Sequence, residues 1–160
     1  MIISREHQYL FIEIPLTASW AIRHELCEHY GGVPVLHKHA SYPEFLRSGE
    51  AGAADYFVFA TVRNPLDIAV SVYVKYRTNH KGTFSSSKST EMLRVVQADL
   101  AMFKFVQETD ASFETYFKRF HRRPYNGSIH LSANHLDFVV RYEQLQQDFS
   151  EVLRRLDLEQ

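Results

Sequence analysis

The chain has a single cysteine, Cys27, so no internal disulfide can form and stability must come from a packed core. That usage fits a reducing compartment. No apolar run approaches the roughly 20 residues that a membrane-spanning helix needs. The opening stretch MIISREHQYL lacks the charged, apolar and small-residue segments of a secretory signal, so a cytoplasmic location is the expectation. Excess charge is missing too. A formal net charge of −1 argues against general adhesion to nucleic acid or to an anionic membrane, and leaves room only for a local charged site. There is no internal repeat. One absence is local: FIEIPLTASWAI, residues 11–22, reads as a buried strand breaking into a polar loop and then a helix, yet it contains no Lys, Arg or Gly. Strand, loop and helix N-terminus is a layout suited to holding an anion. It is equally a plain connection.

What is present describes one soluble globular domain over residues 1–160, with 45% hydrophobic residues to supply a core and 23% charged residues to solvate it. Apolar runs rich in β-branched and aromatic residues predict strands at residues 9–14, 33–36, 56–62 and 137–142. Ser19 is placed to cap a helix ending near Tyr30, where Gly31 and Gly32 stop it. A short helix should follow HKHASYPEFL. After residue 62, Asn64, Pro65 and Asp67 form a helix start, and Leu66, Ala69, Val70, Tyr73 and Val74 give it a candidate buried face. A polar loop at 77–89, helices near 90–107 and 112–120, and a final amphipathic helix through Leu145, Phe149, Val152, Leu153 and Leu156 complete the pattern. Strands alternating with helices predict an α/β fold of three layers, with a mainly parallel sheet flanked by helices. Ligands of such sheets bind beyond the carboxyl ends of the strands. Three polar groups fall there: PLTAS, HKH and VRNP.

Arg63 ends the most apolar strand beside a helix N-terminus, where a guanidinium can grip a phosphate at two points. Ser71, about two turns on, shares a side with Asp67 and Lys75, away from the Leu66, Val70 and Tyr73 face. The plainer reading pairs Arg63 with a carboxylate and leaves Ser71 simply exposed. His37 and His39 lie after the second strand. A neutral imidazole there can act as a base. A metal pair would need a third ligand, and no cysteine or second His pair has matching spacing. No metal is therefore expected.

The segment YFVFATVRNPLDIAVSVYVKY resembles the 3′-phosphate-binding segment of sulfotransferases that use 3′-phosphoadenosine 5′-phosphosulfate (PAPS): an apolar strand, Arg-Asn-Pro, then Ser eight residues after the Arg. FIEIPLTASWAI is similar to that family's 5′-phosphosulfate loop, and DFVVRYEQLQQDFSEVLRRLDL to its late strand and helix. The resemblance runs from about residue 9 to 158 and points to the carbohydrate branch, such as heparan sulfate 2-O-sulfotransferase. It implies a P-loop NTPase-like sulfotransferase fold and transfer of a sulfuryl group from PAPS to the hydroxyl of a small molecule or glycan. It assigns Arg63 and Ser71 to the 3′-phosphate, and Thr17, Ala18, Ser19 and Trp20 to the 5′ side. It makes His39, or in second place His37, the general base, with no metal required.

The loop departs from the family's Pro-Lys-Thr-Gly-Gly-Thr-Ser at the residues that matter most. Leu16 stands where the Lys would be, Ala18 where a Gly would be, and Trp20 and Ala21 at the later Thr and Ser. The alternative is therefore a nucleotide-binding protein with weak or no catalysis. Lys38, Arg23 and Lys75 are candidate substitute cations. A kinase-like reading lacks its Gly-x-x-x-x-Gly-Lys-Ser/Thr. The basic run 117–123 could hold an anion or be a solvated helix end. The sequon at 126–128 carries little weight without a secretory signal.

Overall fold

The computed structural model describes residues 1–50, 55–84, 97–121, 129 and 131–159. Residues 85–96, which include the end of the expected polar loop and the start of the next helix, lie outside them. So do Arg122 and Arg123 of the basic run and the sequon at 126–128. The chain forms two compact units, Met1–Asn64 with Asn126–Gln160, and Pro65–Tyr125.

The first unit is built on a five-stranded mixed sheet, β1 (Ile2–Ser4), β2 (Tyr9–Ile12), β3 (Val33–Pro34), β4 (Phe57–Val62) and β5 (Phe138–Arg141), in the order β3-β1-β2-β4-β5. β2, β4 and β5 run parallel, as expected; β1 is antiparallel to both its neighbours. β1 is the strand that pattern alone misses. Three residues before a polar turn are too few to show alternation, although all three are fully buried. The expected strand at 33–36 shrinks to two exposed residues.

Side-chain alternation divides the core into two layers. Ile3, Leu10, Ile12, Val58 and Ala60 pack with Phe45 of α2 (Tyr42–Arg47). Ile2, Tyr9, Phe11, Phe59 and Val140 pack with Ile22 and Leu26 of α1 (Ser19–His29) and with Val152 of the last helix (Leu145–Arg155). Helix, sheet and helix give the three layers. β4 and β5 are tied at their start by Asp137, whose carboxylate accepts the Val58 amide at 2.7 Å while its own amide donates to the Val58 carbonyl at 2.7 Å. At the other end, Asp148 accepts the Arg141 amide, Nε and Nη2 at 2.7–2.8 Å. The guanidinium holds that carboxyl below its ordinary pKa.

The second unit contains α3 (Pro65–Arg77), α4 (Gln97–Glu108) and α5 (Phe113–Phe120), the last capped by the Ser112 hydroxyl. Its core is aromatic: Tyr76, Val106 and Tyr116, with Tyr73, Phe84, Phe103 and Phe113 around them. The expected buried face of α3 is corrected here. Leu66, Val70 and Val74 are exposed, while Ala69 and Tyr76 are buried. Both faces of α3 are apolar, so periodicity could not choose between them. Tyr73 and Tyr76 decide it, because their hydroxyls reach the Ala111 carbonyl and Asp99.

α1 ends at paired glycines. Gly31 takes a left-handed φ of 64°, and the Gly32 amide returns to the Leu26 carbonyl at 2.9 Å. A Cβ on Gly32 would stand 2.7 Å from Ile2 Cγ2 and 2.9 Å from the Leu26 carbonyl oxygen. Gly32→Ala should therefore destabilise the first unit by about 1–3 kcal/mol, as overpacking against backbone does. Urea unfolding with an unchanged m-value would show it.

Candidate anion-binding site at the carboxyl edge of the sheet

Parallel pairing of β2 with β4, from Tyr9 opposite Phe57 to Ile12 opposite Ala60, brings the carboxyl ends of both strands to one edge. The loop after β2 and the Arg63-Asn64 step after β4 meet there.

The loop is held from within. Thr17, 1% exposed, donates its hydroxyl to the Ile14 carbonyl at 2.8 Å and contacts the fully buried Thr61 hydroxyl of β4 at 2.5 Å. Its side chain is thus turned away from solvent, and what Thr17 can offer an anion is its main-chain amide. Leu16 and Ala18, on either side, are left-handed, with φ of 64° and 62°. Without glycine, each such residue costs about 1–2 kcal/mol. That is comparable to the roughly 1 kcal/mol net gain of each buried hydrogen bond.

α1 begins without a side-chain cap. The cap position is Ala18, not Ser19 as expected, and Ser19 is the first helical residue, buried. The first acceptor use in the helix is Ala21 to the Ala18 carbonyl at 2.9 Å. Among the described residues, the amides of Thr17, Ala18, Ser19 and Trp20 have no acceptor. Successive amides of this kind, at the positive end of a helix, form a seat for an anion. Trp20 is 65% exposed, so its indole is open to a ligand.

Arg63 is half-buried. Its Nη1 donates to the Leu16 carbonyl at a long 3.4 Å, and its guanidinium lies 4.2 Å above the Tyr142 ring. That stacking fixes the plane of the fork, as cation–π contacts do. Glu143 accepts the Asn64 amide at 2.7 Å. This contact was not read from the sequence, where Glu143 is only an acidic residue near a helix start. A ring and a carbonyl are thus among the groups that hold Arg63.

His39 Nδ1 lies 2.8 Å from the Glu13 carbonyl, on the residue that follows β2. A carbonyl only accepts, so Nδ1 carries the proton and Nε2 of the neutral ring keeps its lone pair. His37 differs. Its Nδ1 faces the Lys38 carbonyl at 3.0 Å and its Nε2 the Glu44 carboxylate at 3.1 Å. Two acceptors favour the imidazolium and raise its pKa, the Lys38 carbonyl contributing most. Glu44, which also accepts the Ser41 amide and hydroxyl to close the α2 capping box, is held down to about 2, chiefly by those Ser41 bonds. His39 therefore has the geometry of a base, and His37 that of a cation in a surface pair.

Of the substitute cations, Arg23 donates to the buried Glu13 carboxylate at 2.9 Å, which the Met1 ammonium also contacts at 2.9 Å. Lys38 is exposed between the two histidines. Ser71 and Lys75 lie on α3 in the second unit. No group of three His, Cys, Asp or Glu among the described residues could hold a metal ion. No described helix is long and apolar enough to cross a membrane.

A mixed α/β sheet with an amide-lined loop, an arginine and a tautomer-fixed histidine at its carboxyl edge is an arrangement that can receive an anionic group. The model of the sulfotransferase family matches residues 1–160, and the chain belongs to that family. No curated protein and no solved structure matches it.

The charge on His37 is measurable. His37 should titrate above the ordinary 6.5, remaining charged into higher pH, and Glu44→Gln should lower its midpoint. Imidazole NMR titration of the His37 ring checks this.

Proposed function

We propose that the protein transfers a sulfuryl group from PAPS to a hydroxyl acceptor. The observation that carries this is the row of four amides, Thr17 to Trp20, that have no acceptor among the described residues, beside Arg63, in a chain of the sulfotransferase family. These residues fit a phosphosulfate, whose oxygens would accept hydrogen bonds from the amides of Thr17, Ala18, Ser19 and Trp20. PAPS, when bound, supplies a sulfuryl group on a phosphate leaving group. Arg63 holds the 3′-phosphate, and Ser71 is assigned to the same phosphate by its motif spacing alone. His39 Nε2 takes the acceptor hydroxyl's proton as the new oxygen–sulfur bond forms and the sulfur–oxygen bond to the phosphate breaks. His37, already tied to Glu44, is the weaker candidate for that role. A carbohydrate acceptor follows from the His-x-His arrangement of the branch that the sequence resembles. The single domain, no metal and a cytoplasmic location complete the proposal.

One observation favours a second reading, nucleotide binding with little transfer. Leu16 is 42% exposed at the Lys position, and Arg23 is engaged by Glu13, so neither supplies charge to the leaving oxygen. Losing one such donor costs on the order of 100-fold or more in rate.

Calorimetry with adenosine 3′,5′-bisphosphate should show binding that Arg63→Ala weakens by roughly tenfold or more, the loss of a charge-assisted pair. No heat at millimolar nucleotide would sink both readings. Transfer of labelled sulfate to a panel of alcohols and glycans separates them. Leu16→Lys should raise turnover on the order of 100-fold. His39→Asn should lower it by about 100-fold or more without changing nucleotide affinity.

A further inference from the structure

The hydroxyl chain beneath the loop has a direction. A threonine carries one hydroxyl proton, and that of Thr17 is committed to the Ile14 carbonyl, which can only accept. The contact between the two hydroxyls must then be donated by Thr61. The order is Thr61 O–H to Thr17 Oγ1, and Thr17 O–H to the Ile14 carbonyl. Both side chains are sealed from water, Thr61 at 0% and Thr17 at 1% exposure, so solvent cannot replace either bond. The chain spans from β4 to the one loop residue that stands between the left-handed Leu16 and Ala18. Families of such loops use glycine for left-handed positions; here no glycine does so, and something else must hold the backbone in place.

We propose that Thr61 is the positioning residue of the anion-binding loop: its buried hydroxyl, donated to Thr17, holds the left-handed Leu16 and Ala18 in the conformation that leaves the Thr17 to Trp20 amides without an acceptor among the described residues. Thr61 touches no ligand. It acts through Thr17, from an otherwise apolar strand. Its effect on nucleotide affinity rests on the donor reading above; its effect on the loop does not.

The test uses Thr61→Val, which keeps the shape and removes the hydroxyl, with Thr61→Ser as the rescue. Two readouts are taken on the full chain. The first is hydrogen exchange by NMR at Ala21 and Ile22, whose amides bond to the Ala18 carbonyl, compared with Leu10 and Phe59 in the sheet. The second is affinity for adenosine 3′,5′-bisphosphate. Thr61→Val should speed exchange at Ala21 and Ile22 by about tenfold with the sheet unchanged, and weaken the nucleotide by about tenfold, the effect of losing one buried hydrogen bond. Thr61→Ser should restore both. Thr17→Val should reproduce the loss, and the double variant should be no worse than either single one, because the two hydroxyls form one chain. Exchange at Ala21 and Ile22 equal to wild type, or acceleration shared equally by the sheet, overturns the proposal. If wild type binds no nucleotide yet the loop still loosens selectively, the donor reading falls and the positioning role stands.

Discussion

The in-register parallel pairing of β2 with β4 is the constraint on which the rest of the first unit's site depends. Ile12 opposite Ala60 places Ile14 and Thr17 within reach of Thr61, and the Leu16 carbonyl within reach of Arg63. The same edge receives His39, which is tied to the carbonyl of Glu13 one residue beyond β2. Slipping the register by one residue would turn Thr61 to the opposite face and remove its partner. A polar residue near the carboxyl end of the apolar β4 is thus satisfied by this pairing.

The site also shows how a loop can keep left-handed positions without glycine. Two left-handed positions carry Leu16 and Ala18, and a buried hydroxyl chain opposes the strain. The positive field is divided between helix amides and Arg63. Arg23 is held by the fully buried Glu13 carboxylate, which the Met1 ammonium also contacts at 2.9 Å. An arrangement of this kind can seat an anion without supplying the extra donor that helps a leaving group depart. On the proposed reading, the balance between binding and transfer rests on Leu16.

Much of this was legible residue by residue. The three parallel strands announced themselves as apolar runs, and Arg63 as the polar residue ending one of them. His39 and His37 could be named from sequence but not told apart, because both have the same side chain and nearly the same place. Their difference lies in partners drawn from residues 13 and 44, which spacing does not reveal. Thr61 was overlooked for a related reason. In a strand, threonine is an ordinary β-former, and only the loop residue Thr17 beside it makes it more than that. Glu143 and Tyr142 were similarly silent until the end of β5 was set beside the end of β4.

The amino-acid sequence by itself determined the order of elements, the apolar strands, the ends of α1 and α5, and the family, because these follow from local patterns of a few consecutive residues. Tertiary structure alone decided which face of α3 is buried, that β1 joins the sheet, which histidine keeps a free lone pair, and that Thr17 turns inward. Each of those depends on a partner distant along the chain. A hydrogen bond or a packed ring has no signature in local periodicity until the fold brings its two halves together.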